Sequence, residues 1–312
     1  MNKNILKSFA VKSRKELVEK VRIKAERKGI TEDNIENLYV INHLGEIVGN
    51  KREKLLIKMI INKMESLNKN GEKGYEAVIE EIAYSWFNRF IVLRFMEVNK
   101  YIPETFIKEY DKCNSMQNIY GINFYLNLKK IQSMKLNRDK EGILKYIVLS
   151  RCSDLKGSLP FVFKRWPEYT ELLFPEGLLG EKEFLFKLIH AIPEKLWYDV
   201  EIIGWLYEYY ISQEQNRIIS SKKKYTKKEI PYATQLFTPG WIVEYMVQNS
   251  LGRYWIEAHP EHEELKKNWE FYIENEDRYG ELTPYVDRNL KVRDIKCMDP
   301  ACGSGHILVY MF

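Results

Sequence analysis

Ile295-Lys296-Cys297-Met298-Asp299-Pro300-Ala301-Cys302-Gly303-Ser304-Gly305-His306-Ile307-Leu308-Val309-Tyr310-Met311-Phe312 is the segment of this 312-residue chain whose residue types dictate a ligand geometry. Ile295 to Met298 predict a short buried strand, Asp299 to Gly305 a turn with two glycines, and His306 to Phe312 an apolar helix or strand start. A strand, a glycine turn and a helix start together present backbone N–H groups and a helix N-terminus to the polar end of a ligand.

Working outward, composition sets the frame. With 45% hydrophobic and 30% charged residues the chain can bury a substantial core, and its length predicts two domains. No apolar run reaches the length of a membrane span. Met1-Asn2-Lys3-Asn4-Ile5 lacks the apolar core of a secretory signal, so the expected location is the cytoplasm, with no membrane partner. Cys113, Cys152, Cys297 and Cys302 show no C-x-x-C spacing, which indicates reduced thiols and neither a disulfide framework nor a zinc site.

The net charge of +5 is unevenly placed. Residues 1–28 carry ten Lys/Arg against Glu16, Glu19 and Glu26, and Lys222, Lys223, Lys224, Lys227 and Lys228 form a second basic run. Such segregation is an electrostatic footprint compatible with nucleic acid. Solvated helix faces and a solvated lysine loop would give the same pattern.

Leu17, Val18, Val21 and Ala25 fall at helical spacing, so the basic N-terminus predicts an amphipathic helix ended by Lys28-Gly29. After a loop over Asn42 to Asn50, a second helix runs through Leu55, Leu56, Met59 and Ile60 and ends near Asn70-Gly71. From Glu76 to Val98 apolar residues surround the helix on nearly every side, which places it in the middle of a bundle. Arg89 and Arg94 on it are candidates for buried ion pairs, Arg94 with Glu97. Tyr101-Ile102-Pro103 ends it.

Asp111 to Gly180 is broken by Pro160, Pro167, Pro175, Gly157, Gly177 and Gly180, and Tyr146-Ile147-Val148-Leu149 fits either helix or strand. Pro193 to Ser212 predicts one long apolar helix that includes Val200. Beyond the lysine run, Thr238 as N-cap with Pro239 at the first helical position predicts a helix whose face is Ile242, Tyr245, Met246 and Asn249. His259-Pro260-Glu261-His262 carries two histidines across a proline turn, and no metal site is expected there.

Two of these segments, in this order, resemble a known family. Gln235-Leu236-Phe237-Thr238-Pro239, followed some sixty residues later by Asp299-Pro300-Ala301-Cys302-Gly303-Ser304-Gly305, is similar to the paired cofactor motifs of adenine-specific DNA N6-methyltransferases. Ala83-Tyr84-Ser85-Trp86-Phe87-Asn88-Arg89, Arg94-Phe95-Met96-Glu97 and Ile202-Ile203-Gly204-Trp205-Leu206-Tyr207 resemble the PglX-type methyltransferase of BREX phage-defence systems. The resemblance implies S-adenosylmethionine as cofactor. It also implies double-stranded DNA as partner, with other BREX proteins or a phage DNA mimic as further candidates.

By the same resemblance, Gly303 and Gly305 let the loop approach the methionine end, flanked by Pro300 and Ala301, and Asp299 pairs with the ammonium group. Cys302 packs beside the ligand, Thr238 and Pro239 close the site from the other side, and Phe237 covers part of it. The family's mechanism extrudes the target adenine from the duplex and holds it in a D/N-P-P-Y/F/W motif. This chain has ten prolines, no two adjacent, and offers no catalytic residue of that kind.

The expected architecture is therefore mainly α. A helical N-terminal domain (1–219) and a basic linker (220–230) precede the first part of an α/β Rossmann-like methyltransferase domain (231–312), cut before its catalytic motif and inactive alone. A non-catalytic helical module binding DNA or protein is the alternative. Nicotinamide-dinucleotide binding fits less well, since Leu308 stands where a third glycine or alanine is expected.

Overall fold

The computed structural model describes residues 3–32, 51–102, 137, 139–163, 168–226, 229–234, 236–274, 286–302 and 305–312. The expected loop at Asn42–Asn50, Pro103, Cys113, Pro167, Lys227, Lys228, Gln235, Gly303 and Ser304 lie outside them. Met1–Tyr210 and Ile211–Phe312 form two compact units. The described residues are mainly helical and include no strand.

In the first unit, α1 (Lys3–Arg27), α2 (Lys51–Lys69) and α3 (Gly74–Val98) carry the fold, with α3 packed against both. Gly29 and Gly71 stop α1 and α2 at φ of 70° and 77°, a left-handed conformation that costs a side-chain-bearing residue about 1–2 kcal/mol. The all-round apolar pattern of α3 has the consequence anticipated for it: Trp86, Phe87, Phe90 and Leu93 are fully buried. Phe90 meets Phe184 at 5.3 Å between ring centroids, and Trp86 meets Phe174 edge-on at 4.8 Å. The Trp86 indole N–H donates to the Thr170 carbonyl at 3.0 Å, which satisfies the one polar atom of that side chain.

Several sequence expectations need correction. The inward face of α2 is Leu56, Ile57, Ile60, Ile61 and Met64, while Leu55 and Met59 face solvent, a rotation of the face by one residue. Tyr146 to Leu149, which fit either helix or strand, are helical and so need no correction; they lie within α4 (Lys140–Asp154), whose start is capped by the Asp139 carboxylate accepting from the Gly142 N–H. Pro193 to Ser212 is not one helix. A 3₁₀ segment, Glu194–Tyr198, gives way at Asp199 to a helix beginning at Glu201, and Val200 at the break is exposed. Asp199 Oδ1 accepts from the Glu201 N–H at 2.9 Å, a local bond that competes with a continuous helix. Between α4 and that 3₁₀ segment lies α5 (Phe184–His190), and the helix from Glu201 is α6 (Glu201–Ser220).

The basic face of α1 is an internal feature of this unit. Arg14 forms two bonds with Glu80, at 2.7 and 3.2 Å, and Arg22 reaches Glu76 at 2.9 Å, both carboxylates on α3. Lys20 reaches Glu183 at 2.6 Å, Lys28 reaches Glu53 at 2.8 Å, and Lys24 and Arg27 share Glu176. Six of the ten cations of residues 1–28 are thus neutralised by carboxylates from outside that segment.

Candidate functional site

The candidate site lies in the second unit. Its helices are α7 (Glu229–Thr234), α8 (Gly240–Val247), α9 (Arg253–Ala258) and α10 (His306–Met311), with one π-helical turn at Gln248–Gly252. α7 starts with a reciprocal cap that the sequence spells as Thr226-Lys227-Lys228-Glu229. The Thr226 N–H donates to the Glu229 carboxylate at 2.9 Å, and the Glu229 N–H donates back to Thr226 Oγ1 at 3.3 Å.

The start of α8 differs from the expected cap. Pro239, not Thr238, is the N-cap, and its carbonyl accepts from the Ile242 and Val243 N–H groups at 3.0 and 3.2 Å. The inward residues of α8 are Val243 and Val247, whereas Tyr245 and Met246 are exposed. Thr238, one residue before the cap, contributes its carbonyl instead of its hydroxyl. That carbonyl lies 2.9 Å from His306 Nδ1. A carbonyl oxygen can only accept, so the imidazole carries its proton on Nδ1.

The loop ahead of α10 is built by backbone bonds. Asp299 Oδ1 accepts from the Ala301 N–H at 2.9 Å, which holds the carboxylate in one orientation. The Gly305 N–H donates to the Cys302 carbonyl at 2.7 Å, closing the turn. Gly305 then caps α10 with φ at 83°, a conformation that favours glycine at this point. The expected strand Ile295–Met298 does not form among the described residues, and Met298 is 83% exposed. A strand requires a neighbour for its ladder, and none is present beside it among the described residues.

Two contacts tie Phe237 and the turn beyond α8 to α10, the helix that follows the glycine loop. The Phe237 and His306 rings are stacked, 4.5 Å apart and 7° from parallel. Beyond α8, the Gln248 amide donates to the Tyr310 hydroxyl at 3.3 Å. His306 and Tyr310 are four residues apart and share one face of α10. The first meets the start of α8 and the second its end, so the two helices run the same way and begin at the same end. Phe237, Thr238, Pro239 and Asp299 are each partly exposed there, with Cys302 more open to solvent. His306 and Gln248 were not distinguished by sequence reasoning, because spacing alone does not reveal a contact across 68 or 62 residues.

Gln248 and its neighbours also fix the segment that returns over α8. Gln248 Oε1 accepts from the Phe271 N–H, Asn249 accepts from the Ile273 N–H, and Arg253 donates to the Ile273 carbonyl, all between 2.7 and 2.9 Å. The two histidines near this segment have structural partners. The Trp255 indole donates to His262 Nδ1 at 3.0 Å, and His259 sits between the Leu290 carbonyl at 2.7 Å and the Glu261 carboxylate at 3.0 Å. Both neighbours of His259 only accept, so both of its ring nitrogens donate; the Leu290 carbonyl and then Glu261 raise its pKa. Among the described residues no group of three or more His, Cys, Asp or Glu is placed to hold a metal ion.

No family model matches the chain. The adenine-specific methyltransferase BrxX of Escherichia coli O9:H4 (strain HS) is 33% identical over 324 aligned positions, which take in 99% of this chain and 27% of BrxX. The adenine-specific methyltransferase PglX of Lacticaseibacillus casei (strain Zhang) is 32% identical over 349 positions, 100% of this chain and 29% of PglX. Along nearly its whole length the chain is thus similar to part of these two adenine-specific methyltransferases. It spans less than a third of the length of either curated relative. The aligned region takes in the aromatic-rich α3 of the first unit and, in the second, the Phe237–Thr238 segment tied to His306. Among the described residues no helix is long and apolar enough to cross a membrane.

Proposed function

We propose that this chain is the opening part of an adenine-specific DNA methyltransferase of a BREX phage-defence system. In the full-length protein a methyl group passes from S-adenosylmethionine to adenine N6. The cofactor, when bound, supplies an electrophilic methyl group on a sulfonium, which leaves as a neutral thioether while the amine loses a proton. The chain's own share is to bind and orient. Asp299, held by the Ala301 N–H, offers a fixed carboxylate to the ammonium group. Gly303 and Gly305, with Pro300, Ala301 and Cys302, form the loop against the methionine end, and Phe237, Thr238 and Pro239 flank it. The rest of the Rossmann-like domain would supply the neighbour that Ile295 to Met298 need to become a strand.

The observation that supports this reading is the stack of Phe237 on His306, the residue directly after the glycine loop, at one end of paired helices. Equilibrium dialysis of the full-length protein with labelled S-adenosylmethionine tests it. Saturable binding is expected, with Asp299→Ala weakening it at least tenfold; absence of binding by the unaltered protein would refute it. These 312 residues alone are expected to transfer no methyl group to DNA.

A second reading, DNA contact by the linker, rests on the exposure of Lys222, Lys223, Lys224 and Tyr225, with Lys227 and Lys228 following in sequence. Arg14, Lys20, Arg22, Lys24 and Arg27 of α1, being paired with carboxylates of their own unit, are not part of it. Replacing Lys222, Lys223 and Lys224 by Ala should lower the salt dependence of DNA binding by about 2–3 units in log–log slope, at roughly 0.9 per phosphate contact. An unchanged slope removes the linker from the interface.

A further inference from the structure

We infer that His306 is a positioning residue of the cofactor site, a strut that fixes the Phe237–Pro239 segment against the Asp299–Gly305 loop. The inference rests on the cofactor reading above and adds to it a residue outside both motifs. Three observations meet in this one side chain. Its ring lies flat on Phe237, 4.5 Å away and 7° from parallel. Its Nδ1 proton is given to the Thr238 carbonyl at 2.9 Å. It also occupies the first position of α10, directly after the left-handed Gly305.

Each contact acts on a different degree of freedom. The Thr238 carbonyl precedes the Pro239 N-cap, so the hydrogen bond sets where α8 begins relative to the loop. The stack sets the plane of Phe237, the ring assigned to cover part of the cofactor. Gly305 sets the direction from which His306 arrives, through a turn closed by its N–H on Cys302. Tyr310, one turn along the same face, receives the Gln248 amide and makes the second tie between the helices. Removing the Tyr310 contact leaves the helix starts in place, whereas removing His306 frees both at the end where the cofactor segments lie. A site built from two segments about sixty residues apart in sequence must spend binding free energy to assemble them unless something holds them beforehand. His306 is the side chain that holds them.

The test uses the full-length protein with His306→Ala, His306→Phe and Phe237→Ala, first checked for an unchanged melting profile. His306→Ala should raise the Kd and KM for S-adenosylmethionine at least tenfold with the KM for DNA within twofold of the unaltered protein. His306→Phe, which keeps a flat ring and loses the Nδ1 proton, should recover part of that loss. The double variant with Phe237→Ala should be no worse than the poorer single one, because both remove the same stack. A Kd within twofold of the unaltered protein for His306→Ala, or independent multiplication of the two single effects, would overturn the inference. One readout needs no cofactor: hydrogen exchange at the Ile242 and Val243 amides, the first turn of α8, should quicken at least tenfold in His306→Ala. If the unaltered protein fails to bind S-adenosylmethionine, the cofactor reading falls. The exchange rates then decide the strut, and unchanged rates would sink it as well.

Discussion

Arg94 and Glu97 form an ion pair one turn apart on α3, 2.6 Å long, with side chains 3% and 2% exposed. At that depth the cost of desolvating two charges offsets most of their attraction, so the pair adds little net stability while its rupture is expensive. Glu97→Gln should therefore destabilise by about 3–5 kcal/mol, read by denaturant melting, whereas an apolar replacement of both residues should be much milder. Arg89, also buried, forms no ion pair among the described residues. It lies over the Trp86 ring at 4.6 Å and donates to Thr170 Oγ1 at 3.4 Å, and burial lowers its pKa. At the surface of the second unit, His259 has its pKa raised by the Leu290 carbonyl and Glu261. A raised value means that the folded state holds the proton more tightly. Its contribution is full below the ordinary histidine value of about 6.5 and is lost as pH rises through the higher folded value. His259→Asn should flatten that part of the stability profile, and an NMR titration of the ring should show its midpoint above 6.5.

At the scale of elements, α1 buries Leu6, Leu17, Val21 and Ala25 completely and adds a row of ion pairs, while α3 is held by rings. Burial alone would raise the Glu176 carboxyl, but Lys24 and Arg27 hold it below the usual range, and Lys20 does the same for Glu183. Depressed carboxylates contribute stability above their ordinary pKa, and that contribution is lost as pH falls through the folded values. Glu176→Gln should lower the melting temperature at neutral pH and make little difference in acid, where the unaltered carboxyl is itself protonated. Phe90→Ala on α3 should cost about 3–5 kcal/mol at any pH, since it empties a packed aromatic site. These two elements also show what can be read without a structure. The apolar ring of α3 and the glycine stops of α1 and α2 are local and legible. The partners of α1 are not: Glu53, Glu176 and Glu183 come from other elements, and a count of charges cannot tell a solvated face from a paired one. Thr226 to Glu229 was legible as a capping box and lay hidden inside what read as a lysine run. The Phe237–His306 stack follows from two turns and a helix direction, none of which residue spacing determines.

For the whole molecule, the comparisons and the contacts of the second unit both bear on the proposed function. The two relatives are adenine-specific methyltransferases of which this chain matches less than a third, and in the second unit His306, the residue after the glycine loop, meets Phe237 and Thr238. Six of the ten cations of the basic N-terminus, which as a sequence resembled a nucleic-acid footprint, are paired with their own unit's carboxylates, and the exposed Lys222 to Lys224 stretch is a further place to look for phosphate contacts. The most direct measurement is methyl transfer by the full-length protein from labelled S-adenosylmethionine to double-stranded DNA, with the product nucleosides separated by mass. N6-methyladenine should form with the unaltered protein and fall at least a hundredfold with Asp299→Ala. Bound cofactor with label appearing on cytosine, or no saturable cofactor binding at all, would contradict it.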